Sequence, residues 1–209
     1  LQSYQQSQQQ FLQKQFIPLS KEQQPIHLTW KLTIDKIEQT NPEALSLLQI
    51  CSCLYPDSIP IQLLFQCFIK QFPNLHSSQE DLNDTINSAL SKLIEYSLLK
   101  GNFDQHSVSI HRLVQSTVRA SISDPTSLFQ SILSTITPST WIYQMQLEEM
   151  KQTFSLLIHM ETFVSICQQS SFENPDLAKL MDHIGDILDS MMGNSTKAIE
   201  YYEKSLEMK

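Results

Sequence analysis

The 209 residues hold 22 acidic against 14 basic side chains, a formal net charge of −8, with 41% hydrophobic and 17% charged residues. That balance describes a globular chain rather than a disordered one, long enough for one large domain or two small ones. It is a poor match for nucleic acid, whose binders draw their affinity from several Lys and Arg contacts to phosphate.

Glycine is scarce: Gly101, Gly185 and Gly193 are the only three, where average usage of about 7% would give about fifteen. A phosphate-cradling loop needs clustered glycines so that backbone amides can approach the ligand, so a self-contained nucleotide site is excluded. The same scarcity argues against a β-rich fold with many tight turns. Cys51, Cys53, Cys67 and Cys167 lie among apolar residues. A Cys-x-Cys pair without a second pair or nearby histidines is weak evidence for metal, and buried free thiols in a reducing cytosol are expected. No apolar run of about 18 residues occurs, so no transmembrane helix and no membrane partner are expected. The chain does not begin with Met, and Tyr201 to Lys209 stop in mid-pattern. A fragment of a longer cytoplasmic protein is expected.

In chain order, Leu1, Tyr4, Phe11, Leu12 and Phe16 fall on one helical face in a glutamine-rich segment, with a low-complexity tail as the alternative. Pro18 and Pro25 bracket a linker. Leu28, Trp30, Leu32, Ile34 and Ile37 predict a short helix. Asn41-Pro42-Glu43 is a helix start, with Asn as cap, Pro at the first position and an acid at the positive dipole end. That helix runs through Leu54 and stops before Pro56. Asp57-Ser58-Ile59-Pro60 is expected to open the next helix, carrying Leu63 to Ile69, and Asp81 to begin another, carrying Leu82 to Ile94. Leu98-Leu99, a polar tip from Gly101 to His106, and Val108-Ser109-Ile110 predict a β-hairpin. Leu113, Val114, Thr117, Val118 and Ile122 line the helix after it. Three helices, a hairpin and a closing helix give a winged helix-turn-helix-like domain.

Pro125 starts a further helix, Thr137 to Trp141 break the chain, and a long amphipathic stretch runs from Met145 to Gln169. Asn174-Pro175-Asp176 caps the first of two final helices, which are separated at Met192 to Ser195. In these two, Gly185 with Leu188, then Ala198, Tyr202 and Ser205, match the small/large alternation of a tetratricopeptide repeat, with one extra residue in the turn. Any leucine-rich helical hairpin would match in part. The predicted fold is therefore mainly α. Residues 1–24 hold a helical or low-complexity segment and a linker, which the family resemblance given below makes the end of a helical subdomain; 25–123 form the winged-helix domain, 124–171 a helical connector, and 172–209 the first repeat of a longer array.

One segment stands out for chemistry. In Ile110-His111-Arg112-Leu113-Val114-Gln115 a short strand hands over to an amphipathic helix. A histidine at such a joint is held by backbone on both sides, which suits it to meet a ligand supplied by a neighbouring domain. The alternative is a histidine packed beneath the hairpin. His27, His76, His106, His159 and His183 show no metal-ligand spacing. Glu148-Glu149 reads as a solvated helix face, and no Gly-x-Ser-x-Gly elbow exists. No catalytic constellation is expected, and the fragment is not expected to be an enzyme.

Through Thr29-Trp30, Ala44, Leu47-Leu48, Pro56-Asp57, Ile59-Pro60, Leu93, Ser97-Leu98 and Ile110 to Gln115, together with the final helical pair, the chain resembles the STAND-class signalling ATPases that join an NB-ARC nucleotide-binding region to tetratricopeptide repeats. The resemblance implies that His111 occupies the histidine of the family's Met-His-Asp motif, whose imidazole contacts the β-phosphate of ADP and favours the closed state. Ile110 replaces the methionine. Arg112 replaces the aspartate, so that carboxylate's role does not carry over, and Arg112 is left to pair with an acid of the absent domain. A charge-assisted bond to phosphate is worth roughly 1.5–3 kcal/mol, enough to bias a two-state switch by about 10- to 150-fold. The resemblance further implies ADP or ATP with Mg in the intact protein, an intramolecular NB-ARC partner, a protein or peptide ligand on the repeats, and self-assembly on activation. Two other functions remain: a repeat scaffold with the winged helix as its cap, and a DNA-binding regulator. The second is disfavoured because its candidate recognition helix presents Asn83, Asp84, Asn87, Ser88, Ser91, Lys92 and Glu95, one lysine against two acids.

Overall fold

The computed structural model describes residues 24–73, 79–102, 104–138 and 146–208. The segment from Leu1 to Phe16, read as a helix, and most of the break from Thr137 to Trp141 lie outside the described residues. The described chain is mainly helical with one small three-stranded sheet. Its described residues divide into two compact units, one within 24–52, 56–64 and 73–124, the other within 53–55, 65–72 and 125–208.

The first unit begins with α1 (Gln24–Thr40) and α2 (Pro42–Ser52). Helix α1 starts one residue before Pro25, so that proline sits in a first helical turn, where its missing N–H costs nothing, rather than in the expected linker. Asn41 separates the two helices and caps the second: its Oδ1 accepts the Ala44 N–H at 2.8 Å. Ala44, Leu47, Leu48 and Cys51 on α2 are fully buried, as the apolar spacing predicts. The chain then forms β1 (Ile59–Pro60), α3 (Ile61–Gln71), α4 (Gln79–Glu95), β2 (Leu99–Asn102), β3 (Ser107–Ile110) and α5 (Arg112–Ser121).

The expected helix opening at Asp57 to Pro60 is instead a strand. Ile59 pairs with Val108 and Pro60 with Ser107, antiparallel, so the sheet order is β1-β3-β2. Proline is tolerated there because β1 is an edge strand and owes no N–H on its outer side. Flanking bonds hold the short pairing in place: Ile110 N–H donates to Pro56 O at 2.8 Å and Ile61 N–H to His106 O at 2.9 Å. The expected hairpin is present, with Leu99 opposite Ile110 and Asn102 opposite Ser107. Ser97, with φ 57°, ends α4 in the left-handed region, and Leu98 N–H reaches back to Leu93 O at 3.0 Å.

The second unit takes the 65–71 part of α3 and contains α6 (Thr126–Ile136), α7 (Leu147–Gln169), α8 (Pro175–Met192) and α9 (Ser195–Glu207). Phe129 meets Phe163 and Phe172 edge-on, with centroids 5.6 and 5.2 Å apart, the geometry the ring quadrupole favours. Asn174 caps α8 by accepting the Asp176 N–H at 2.8 Å. Gly193 ends that helix with φ 61°, and Asn194 caps α9 through the Lys197 N–H. Tyr202 lies against Gly185, its hydroxyl donates to Asp186 Oδ1 at 2.8 Å, and Ser205 Oγ donates to Ala178 O at 3.0 Å.

Candidate functional site

The joint between β3 and α5 is built from its two ends. On the strand side Ile110 is buried, anchoring the last residue of the sheet. On the helix side Val114, Gln115, Thr117 and Val118 are buried. Gln115 and Arg119 do more than pack, because they satisfy carbonyls left open at the end of α2. Gln115 Nε2 donates to Cys51 O at 3.0 Å, and the Arg119 guanidinium donates to Ser52 O. Helix α5 is therefore pinned by polar as well as apolar contacts.

Between these anchors sits His111, with extended backbone (φ −70°, ψ 135°), as the N-cap of α5. Its Nδ1 accepts the Leu113 N–H at 3.2 Å, and its carbonyl accepts the Gln115 N–H at 3.0 Å. The side chain is exposed, so it is not packed beneath the hairpin. Trp30 of α1 lies across the imidazole, with ring centroids 5.4 Å apart and planes tilted by 44°. Arg112, also exposed, is the first residue of the helix. Exposed His111 and Arg112 are thus consecutive at the positive end of a ten-residue helix, a combination of residue types suited to an anion.

No local pattern marks Trp30 as a neighbour of His111, since a tryptophan in an amphipathic helix reads first as core. Glu149, half of the acidic pair, serves locally: its carboxylate accepts the Gln146 N–H at 3.0 Å in the capping box of α7. His159 and His183 are buried, and His106 is exposed at the hairpin tip with φ 48°. Among the described residues no three His, Cys, Asp or Glu are placed to hold a metal ion, and no helix is long and apolar enough to cross a membrane. On α4, Asp84, Asn87, Ser88, Ser91 and Glu95 are exposed, and Lys92 Nζ is bound to Glu95 at 2.9 Å. A polar concavity of about 380 Å³ in the second unit is lined by Lys70, Gln130, Ser134 and Asp176 among others. Its charged groups are already engaged, Lys70 by Ser134 O and Asp176 by Lys179.

A family model described as a domain of unknown function, DUF7779, matches residues 35–127, from within α1 to the start of α6, and so includes the whole joint. Over 189 residues the chain is 25% identical to a protein of Hyaloscypha variabilis named nucleotide-binding leucine-rich repeat (NLR)-like protein. The match covers 90% of this chain and 18% of that protein, so the chain spans less than a fifth of its relative's length. No solved structure matches the chain.

Proposed function

We propose that this chain is the switch section of a nucleotide-driven signalling ATPase. Elements α1 to α5 with the sheet act as a winged helix-turn-helix domain that docks on an NB-ARC domain and favours an ADP-bound off state. Helices α8 and α9 begin a tetratricopeptide array that binds a protein partner. The observation that carries the reading is the placement of His111: exposed, held by backbone on both sides, and beside Arg112 at a helix N-terminus. That donor set fits a phosphate oxygen, and His111 is the residue that would meet it. In the intact protein the nucleotide, with Mg, supplies the phosphate whose presence or loss the switch reports. This chain's own residues bind and orient, and none is assigned a bond-breaking role.

Two further observations support the reading. The NLR-like relative carries nucleotide binding in its name and matches nearly the whole chain. The fit of Tyr202 against Gly185, with Ser205 reaching Ala178 O, is the close small-to-large packing expected of a helical repeat pair. The relative's name specifies leucine-rich repeats, whereas the two final elements here are helices. The support for the repeat class is the packing of Tyr202 on Gly185. A bare repeat scaffold would share that packing but would give the exposed imidazole no task.

The test is His111→Ala in the intact protein, with co-purified ADP and oligomer size as the readouts. ADP retention is expected to fall about 10-fold or more, with a shift toward assembled species. Unchanged ADP content together with an unchanged monomer would overturn the switch reading. A phosphate-binding loop upstream of Leu1 in the parent sequence is a second requirement, and its absence would favour the scaffold.

A further inference from the structure

His111 uses its ring in a way that dictates which nitrogen carries the proton. A neutral imidazole has one N–H and one acceptor nitrogen, and the bond made by one nitrogen fixes the state of the other. Here Nδ1 accepts the Leu113 N–H at 3.2 Å. A proton on Nδ1 would point at that N–H and break the cap, so the proton belongs on Nε2, across the ring. The cap alone does not fix the ring, because rotation about χ2 would turn Nδ1 away from the amide. The Trp30 indole is the neighbouring ring, with centroids 5.4 Å apart and planes tilted by 44°.

We propose that Trp30 is a positioning residue for His111: indole and helix cap together hold the imidazole with Nδ1 on the Leu113 N–H, so that Nε2–H is the donor offered to a phosphate oxygen. The phosphate in this statement rests on the function proposed above. The tautomer and its dependence on Trp30 do not, since both stand on contacts within one chain. His111 can then donate to an anion through Nε2–H, and the positive helix end supplies the long-range attraction. Trp30 sets how much of the population presents the donor, because a ligand's apparent affinity falls with the fraction of its site held in the competent form.

The experiment has two arms. In the first, ¹⁵N-labelled chain is compared as wild type, Trp30→Ala and Trp30→Phe, with the His111 ring nitrogens followed by long-range ¹H–¹⁵N correlation at neutral to mildly alkaline pH. Wild type is expected to show one pyrrole-type nitrogen at ε2 and one pyridine-type nitrogen at δ1. Trp30→Ala is expected to give averaged shifts, and Trp30→Phe, which keeps a ring over the imidazole, to restore the wild-type pattern. Backbone amide spectra show whether each variant is folded. Should Trp30→Ala unfold the domain, Leu113→Pro removes the amide donor within the first helical turn, where proline is tolerated, and is expected to average the tautomers in the same way. A His111 that is Nδ1–H in wild type, or unchanged in a folded Trp30→Ala, overturns the proposal.

The second arm measures ADP release from the intact protein. Trp30→Ala is expected to speed release about 3- to 10-fold, less than His111→Ala, and Trp30→Phe to recover most of the loss. If His111→Ala releases ADP while Trp30→Ala retains it, the switch reading survives and the positioning role falls. If the tautomer depends on Trp30 but neither variant alters ADP release, the ring geometry stands and the nucleotide reading falls.

Discussion

A methyl group added at Gly185 would lie 2.5 Å from Cε1 of Tyr202, closer than real contacts allow. Tyr202 has little room to yield, because its hydroxyl is tied to Asp186 at 2.8 Å. Gly185→Ala is therefore expected to lower stability by up to about 2 kcal/mol, the overpacking term less the helix propensity that alanine restores. Urea unfolding of the two chains checks this, and a stabilised Gly185→Ala would show that the α8–α9 contact is looser than it looks. The pairing of Gly185 with Tyr202 was legible in the sequence because small and large residues recur at repeat spacing. The pairing of Trp30 with His111 was not. They are 81 positions apart and belong to elements whose contact no local pattern encodes. His111 itself was legible from its place between strand and helix, but its role as N-cap was not, since Ser, Thr, Asp and Asn are the residues that announce caps.

Helix α8 carries His183 on a buried face, beside Asp186 on its own helix. Burial lowers the imidazole's proton affinity below the ordinary value, while the carboxylates of Asp186 and Asp182 oppose that shift without cancelling it. Between the depressed folded value and the ordinary one near pH 6.5, the unfolded chain binds more protons than the folded chain. Stability in that window therefore rises with pH, and is lost as pH falls through it. The urea midpoint is expected to drop from about pH 7.5 to about pH 5.5, and His183→Gln to flatten the part of that drop due to this group. An unaltered pH profile in a folded His183→Gln would assign the drop to other groups. Legibility at this scale follows how local each signal is. Asn41, Asn174 and Gly193 announced their helix ends because caps are written within a few residues. Strand β1 left no such trace: two residues cannot show a period, and Asp57-Ser58 imitates a helix start. Its partner Val108 lies 49 positions away, so only tertiary pairing makes Ile59 and Pro60 a strand.

At the scale of the whole molecule, the four cysteines report on the two cores separately. Cys51 belongs to the first unit, and Cys53, Cys67 and Cys167 to the second. All four are buried. Burial pushes the Cys67 thiol up to about 12, with a hydrogen bond to Thr135 and the nearby Lys70 charge acting in the opposite direction. Burial also raises Cys167, aided by Cys53. Thiolate, not thiol, is the reactive form, so both access and ionisation protect these groups in the native state. A thiol reagent at neutral pH is expected to leave the folded chain essentially unlabelled and to modify all four cysteines in denaturant. Because Cys53, Cys67 and Cys167 sit in one compact unit, their labelling in rising urea should share a single midpoint, whatever the midpoint for Cys51. Site-resolved mass spectrometry after brief labelling gives the four curves. Labelling of Cys167 well ahead of Cys67 would mean that the second unit opens in parts. The packing of α7 and α8 would then have to be treated as a weaker layer than that of α3 and α6.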